Sequence, residues 1–141
     1  MACVQINNVA TSYDHAQYFD MLEDSHIDRV LNINNLTLTR MCKIVIPGML
    51  AKKKGIIINV GSAAGQIPMG DPFYTVYSSS KAYVDYFSKS LGIEYESRGI
   101  IVEVSFASEP TSGPTFAFSL LTASSCLSHF RITSRILSPP R

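Results

Sequence analysis

The run Ile56-Ile57-Ile58-Asn59-Val60, closed by Gly55 and Gly61, most constrains how this chain can fold. Its β-branched residues favour a strand over a helix. Its apolar residues fall on successive positions, as in a parallel strand covered on both sides. Parallel strands need long crossover connections, usually helical, and the flanking sequence supplies them. Upstream, Ile27, Val30, Leu31, Leu38, Met41, Val45 and Met49 recur at helical spacing. Ser25 is the expected N-cap, with Asp28 completing a weak capping box. Pro47 should kink or fray the last turns, and Gly55 should stop the helix. Downstream, Ser78 to Arg98 reads as a second long helix, with Val84, Phe87, Leu91 and Tyr95 as its buried stripe and Gly99 as its C′ glycine. Val4–Ile6 and Ile100–Val104 are the outer strands. Tyr13 to Asp24 is a polar connection, and Gly61 to Tyr74 a loop rich in Gly and Pro. The order strand, helix, strand, helix, strand predicts an α/β fold with a doubly wound parallel sheet.

Two crossovers running in one direction share one hand, so both helices should lie on one face of the sheet. The other face and the edge of the first strand are then bare, which predicts a binding surface, with an oligomer as one use of it, or an aggregation hazard. Residues 1–105 hold this partial domain. Residues 106–141 turn rich in Ser, Thr and Pro, with one apolar stretch from Phe116 to Leu121, and are expected to be a poorly ordered tail.

A net charge of +1 gives no reason to expect nucleic acid or an anionic membrane surface as partner. The basic cluster Lys52-Lys53-Lys54 reads as a solvated helix end. Cys3, Cys42 and Cys126 lack metal-ligand spacing, as do His15, His26 and His129, so no metal site is expected. The scattered, odd cysteines suit a reducing compartment. No stretch is long and apolar enough for a transmembrane helix, and the N-terminus has no signal-peptide pattern. Taken alone, these features suggest a cytoplasmic protein.

Tyr77 and Lys81 lie four residues apart, on one face of the second helix. An ammonium beside a phenol favours the phenolate, and reduction of a carbonyl needs such a proton donor beside the oxygen as hydride reaches carbon. The bland alternative is a surface i,i+4 pair. Ser62 stands against that alternative, because it falls just past the carboxyl end of the central strand, where open α/β sheets bind ligands. The glycine- and proline-rich loop can bring its hydroxyl over the same site as Tyr77. Asn34 falls on the apolar stripe of the first helix, whereas Asn32 and Asn35 should point elsewhere. A buried amide must find partners, so Asn34 is either a satisfied core residue or part of the site.

Together Asn34, Ser62, Tyr77 and Lys81 resemble the catalytic tetrad of the short-chain dehydrogenases/reductases. Asn7-Asn8-Val9-Ala10 is similar to the family's Asn-Asn-x-Gly segment, and Gly55–Gly65 to its fifth strand and serine loop. Ile46-Pro47-Gly48-Met49, Tyr77–Ala82 and Glu94–Gly99 resemble the branch of 17β-hydroxysteroid dehydrogenases and very-long-chain 3-oxoacyl-CoA reductases. The resemblance implies the second half of a Rossmann-like domain. It implies Tyr77 as acid/base, Lys81 as the group that favours its ionised form and holds the nicotinamide ribose, Ser62 as the residue that orients the carbonyl, and Asn34 as the anchor of a relay water. Asn8, Tyr77 and Lys81 would contact NADP(H) or NAD(H). Ser62, Met69, Phe73 and Tyr74 would face a lipid-like substrate, a 3-oxoacyl-CoA or a steroid. It also implies the endoplasmic reticulum as location.

The chain departs from the family pattern in four places. It has no Gly-x-Gly-x-x-Gly phosphate loop, Ala10 replaces a glycine, the loop around Gly70-Asp71 is longer, and Ser105–Pro110 lacks the Pro-Gly turn. Two functions are therefore expected to compete: an NAD(P)-dependent oxidoreductase interconverting ketone and secondary alcohol, or a truncated, non-catalytic variant that binds another protein or has no function.

Overall fold

The computed structural model describes residues 3–107, so nearly all of the expected tail lies outside the described residues. Three strands, β1 (Cys3–Asn7), β2 (Gly55–Ser62) and β3 (Ile100–Ala107), form a parallel sheet in the order β1-β2-β3. Gln5 pairs with Ile57, and Ile57 with Val102. β3 runs past the expected Val104 because β2 continues to Ser62 and pairs Gly61 with Phe106 and Ser62 with Ala107.

Burial alternates along β2: Gly55, Ile57, Asn59 and Gly61 are buried, while Ile56, Ile58, Val60 and Ser62 are half-buried. The covered face carries the core, where Ile57 meets Leu38, Cys42, Ile46, Met49, Val84 and Ile100. Phe87, Leu91 and Tyr95 pack against it, as their spacing predicts. On the opposite face Val4 and Ile6 remain 53% and 54% exposed. Among the described residues the central strand is therefore covered on one side, not both. The shared hand of the two crossovers is the reason.

The first helical region is continuous from Asp24 to Ala51 but changes pitch. It comprises α1 (Asp24–Leu31), a π-helical segment (Asn32–Thr37) and α2 (Leu38–Ala51). Ser25 is not its cap. Glu23 holds that position, and the Ser25 hydroxyl donates back to Glu23 Oε2 at 3.2 Å from inside the first turn. Pro47 lies exposed within α2, which continues beyond it to Ala51. Gly55 does not stop this helix; Lys53 takes the left-handed conformation (φ 49°), and Gly55 already opens β2.

The second long helix, α3 (Thr75–Tyr95), begins earlier than Ser78, since the Ser78 N–H already bonds the Tyr74 carbonyl at 2.8 Å. A 3-10 turn, Glu96–Arg98, and left-handed Gly99 (φ 85°) end it, as expected of a C′ glycine.

The covered face is not wholly apolar. Asn7 Nδ2 donates to Asn59 Oδ1 at 2.8 Å, Asn59 Nδ2 to Ser88 Oγ at 2.8 Å, and Ser88 Oγ to the Val84 carbonyl at 2.6 Å. Cys42 adjoins this chain and donates to Asn59 Oδ1 at 3.9 Å; burial raises its thiol pKa. Every link is satisfied, so the network fixes β1, β2 and α3 to one another rather than destabilising the core.

Candidate active site

The site is built where β2 ends and α3 begins. Ser62 closes β2, and its hydroxyl accepts from the Ala64 N–H at 3.3 Å, capping a 3-10 turn at Ala63–Gln66. That turn lies against α3. A Cβ on Gly65 would stand 2.5 Å from the Lys81 carbonyl carbon and 2.6 Å from the Ala82 nitrogen. The lack of a side chain at Gly65 thus lets the serine turn seat directly on the helix that carries Tyr77 and Lys81.

Lys81 is 4% exposed. Its ammonium donates to the Val60 carbonyl at 3.2 Å and lies 5.9 Å from the centre of the Tyr77 ring. Burial pushes its pKa below the usual lysine value. A surface i,i+4 pair is excluded by this burial. Tyr77 packs in a second cluster with Tyr13, Leu22, Val30 and Val76, also touched by Ile27 and Tyr74.

Asn34 is buried in the π-helical segment. Its Oδ1 accepts from the Thr11 N–H at 2.8 Å, and its Nδ2 donates to the Thr11 carbonyl at 2.9 Å and to Ser80 Oγ at 3.0 Å. Ser80 Oγ donates in turn to the Tyr77 carbonyl at 2.7 Å. Asn35 does not point away, as expected of it, but donates to the Ser80 carbonyl at 2.9 Å. The i→i+5 turn is wider than an α-turn and directs both neighbouring amides at α3.

Asn8 follows β1 at its carboxyl end and lines a cavity with Asn7, Ile33, Leu38 and Met41. Phe73 is left-handed (φ 67°) and meets Tyr18 edge-on at 5.1 Å, while Tyr74 stacks on Tyr13 at 5.2 Å. Met69 stands 94% exposed and is not packed into the site. Sequence reasoning passed over Ser80, Tyr13 and Tyr18. Ser80 was visible in principle, since Ser80, Val84 and Ser88 lie at steps of four on the buried stripe. Tyr13 and Tyr18 sit in an aperiodic segment that offers no such signal.

A parallel sheet whose central strand delivers a serine to a helix bearing Tyr-x-x-x-Lys defines a class, and the chain belongs to it: residues 4–110 match the short chain dehydrogenase family. Within that family it is similar to the very-long-chain 3-oxoacyl-CoA reductases. It is 49% identical over 102 residues to that of Anas platyrhynchos and 43% identical to that of Rattus norvegicus, covering 71% of this chain and 32% of each relative. The chain thus spans about a third of the length of these relatives. A short-chain dehydrogenase from Sphingobium yanoikuyae, solved in complex with NADPH, superposes with a TM-score of 0.66 at 28% identity over 74% of this chain and 39% of that one.

The residues present fit part of a nicotinamide cofactor. Lys81 has one protein acceptor among the described residues, the Val60 carbonyl, which leaves two N–H groups of its ammonium for a ribose. No helix of the described residues is long and apolar enough to cross a membrane.

Proposed function

We propose that this chain carries the proton-transfer half of an NADP(H)-dependent reductase that converts a ketone on a lipid-like substrate to a secondary alcohol. The bound cofactor would supply the hydride. Tyr77 would give its phenolic proton to the substrate oxygen, and the Ser62 hydroxyl would hydrogen-bond that oxygen and hold it in line. Lys81 would hold the ribose and favour the phenolate left behind. Both N–H groups of the Asn34 amide are engaged by Thr11 and Ser80, so a relay water would be held by the main chain of the π-helical segment.

The observation that carries this reading is Lys81: an ammonium buried one helical turn from Tyr77, with a single protein acceptor. Burial without a full set of partners is costly for an ion and is accounted for by a ligand that completes them. Similarity to very-long-chain 3-oxoacyl-CoA reductases supports a 3-oxoacyl-CoA substrate over a steroid, and the same resemblance supports the endoplasmic reticulum as location. The exposed Val4 and Ile6 face supports self-association or contact with further protein.

Titration of the purified chain with NADPH, followed by fluorescence, tests the reading. Saturable micromolar binding that Lys81→Met abolishes is expected. Absence of binding at millimolar cofactor would overturn it and leave a non-catalytic fragment.

A further inference from the structure

We propose that Ser80 is a positioning residue, the point at which the π-helical segment grips the turn of α3 that carries Tyr77 and Lys81. The proposal rests on the reading of Tyr77 as the acid/base.

A serine inside a helix commonly turns its hydroxyl back onto a carbonyl one turn earlier. Ser78 does so on its own: its Oγ donates to the Thr75 carbonyl at 3.2 Å. Ser80 makes the same kind of bond, to the Tyr77 carbonyl at 2.7 Å. It is 1% exposed, and its hydroxyl has a second partner. The oxygen accepts from Asn34 Nδ2 at 3.0 Å, across 46 residues of chain. The Ser80 carbonyl accepts from Asn35 Nδ2 at 2.9 Å. Two successive amides therefore close on one residue, the first on its side chain and the second on its main chain. In an α-helix neighbouring side chains do not share a face. The wider turn at Asn32–Thr37 lets both reach α3, and π-turns of this kind recur at functional sites.

A second element seats on the same turn of α3. The serine turn that follows Ser62 approaches so closely that a Cβ on Gly65 would meet the Lys81 carbonyl carbon and the Ala82 nitrogen. The stretch from Tyr77 to Ala82 is thus held both by the segment that carries Asn34 and by the turn that carries Ser62. Rotation of α3 about its axis would break both bonds from the π-helical segment to Ser80, so Ser80 sets the direction in which Tyr77 and Lys81 leave the helix. None of its bonds uses the phenol or the ammonium. The reacting groups stay free while the main chain that bears them is fixed.

Ser80→Ala removes both bonds of the hydroxyl and keeps a good helix former. In turnover of a 3-oxoacyl-CoA with NADPH, kcat is expected to fall about 10-fold with KM for NADPH within about twofold, because the loss is one of alignment. Ser78→Ala, which removes a back-bond of the same kind alone, is expected to keep kcat within about twofold. An equal fall in both variants overturns the positioning role, as does an unchanged kcat in Ser80→Ala. The link to Asn34 is read without substrate, from urea unfolding of Asn34→Ala, Ser80→Ala and the double variant. The unfolding constant of the double variant is expected to fall short of the product of the single effects by about 5- to 10-fold, because both single changes break one shared bond. Effects that simply multiply overturn the link. A wild-type chain that turns over no substrate sinks the proposed function instead, and the unfolding measurements still decide the link.

Discussion

The side-chain amide of Asn34 closes on the backbone of Thr11 from both sides, accepting from its N–H at 2.8 Å and donating to its carbonyl at 2.9 Å. A single amide thus ties the π-helical segment to the loop that leaves β1, and its remaining N–H ties both to α3 through Ser80. Asn34→Ala should leave several buried polar groups unpaired and lower stability by about 2–4 kcal/mol. Asn34→Leu should fare no better, although it fills the space. Urea denaturation of both variants checks this, and a loss below about 1 kcal/mol in each would show that water replaces the amide.

Tyr77→Phe should separate chemistry from folding. The ring stays in its cluster, so the unfolding midpoint is expected to hold within about 0.5 kcal/mol. Reduction of a 3-oxoacyl-CoA should fall by about 10²–10⁴-fold, the usual worth of a positioned acid. Retention of more than a tenth of the wild-type rate would remove Tyr77 from the reaction.

Lys81 makes stability depend on pH with a definite sign. Its folded-state pKa lies below that of a free lysine because burial opposes the charge. The unfolded chain therefore binds the proton more tightly, and the cost is full below the folded pKa. It is relieved as pH rises from that value toward the unfolded one. Relative to Lys81→Met, which cannot titrate, the wild-type chain should gain stability as pH climbs toward the ordinary lysine range. Urea midpoints of the two proteins at neutral and alkaline pH test it, and a difference that stays flat or moves the other way contradicts the burial argument.

Gly65 sets the distance between the serine turn and α3. Gly65→Ala drives a Cβ against backbone at Lys81 and Ala82, which cannot rotate away. A loss of about 1–3 kcal/mol is expected, together with a fall in turnover as Ser62 moves off Tyr77. Crystallography or solution NMR of the variant would show whether the turn from Ala63 to Gln66 shifts.

The proposed contact through the exposed Val4 and Ile6 face is tested by charge. Val4→Lys and Ile6→Lys place charge on that face and on the edge strand, a known deterrent to strand pairing. Sedimentation should show less association for the double variant at an unchanged unfolding midpoint. Equal association would place the contact elsewhere.

Much of the fold was legible because periodicity reports burial. Val84, Phe87, Leu91 and Tyr95 recur at helical spacing and pack as one stripe. The β-branched run from Ile56 gave the central strand, and Gly99 its helix end. Misreadings fell where local chemistry had competing solutions. Ser25 could cap a helix or hydrogen-bond within it, and the structure uses the second. Gly55 could end a helix or open a strand, and Lys53 took the left-handed position instead.

By itself the sequence determined the family, because Ser62, Tyr77 and Lys81 occur in a fixed order around one strand and one helix, and order along a chain survives without coordinates. It also determined that the two crossover helices of the described residues lie on one face of the sheet, since the hand of a crossover follows from backbone sterics. The tertiary structure alone decided how the tyrosine is held. Tyr13 lies 64 residues before Tyr77 in an aperiodic stretch yet shares its apolar cluster, and Asn35 turns inward because the π-helical segment widens the helix there. Both depend on contacts between segments distant in sequence, and such contacts leave no period in the chain for a sequence reading to find.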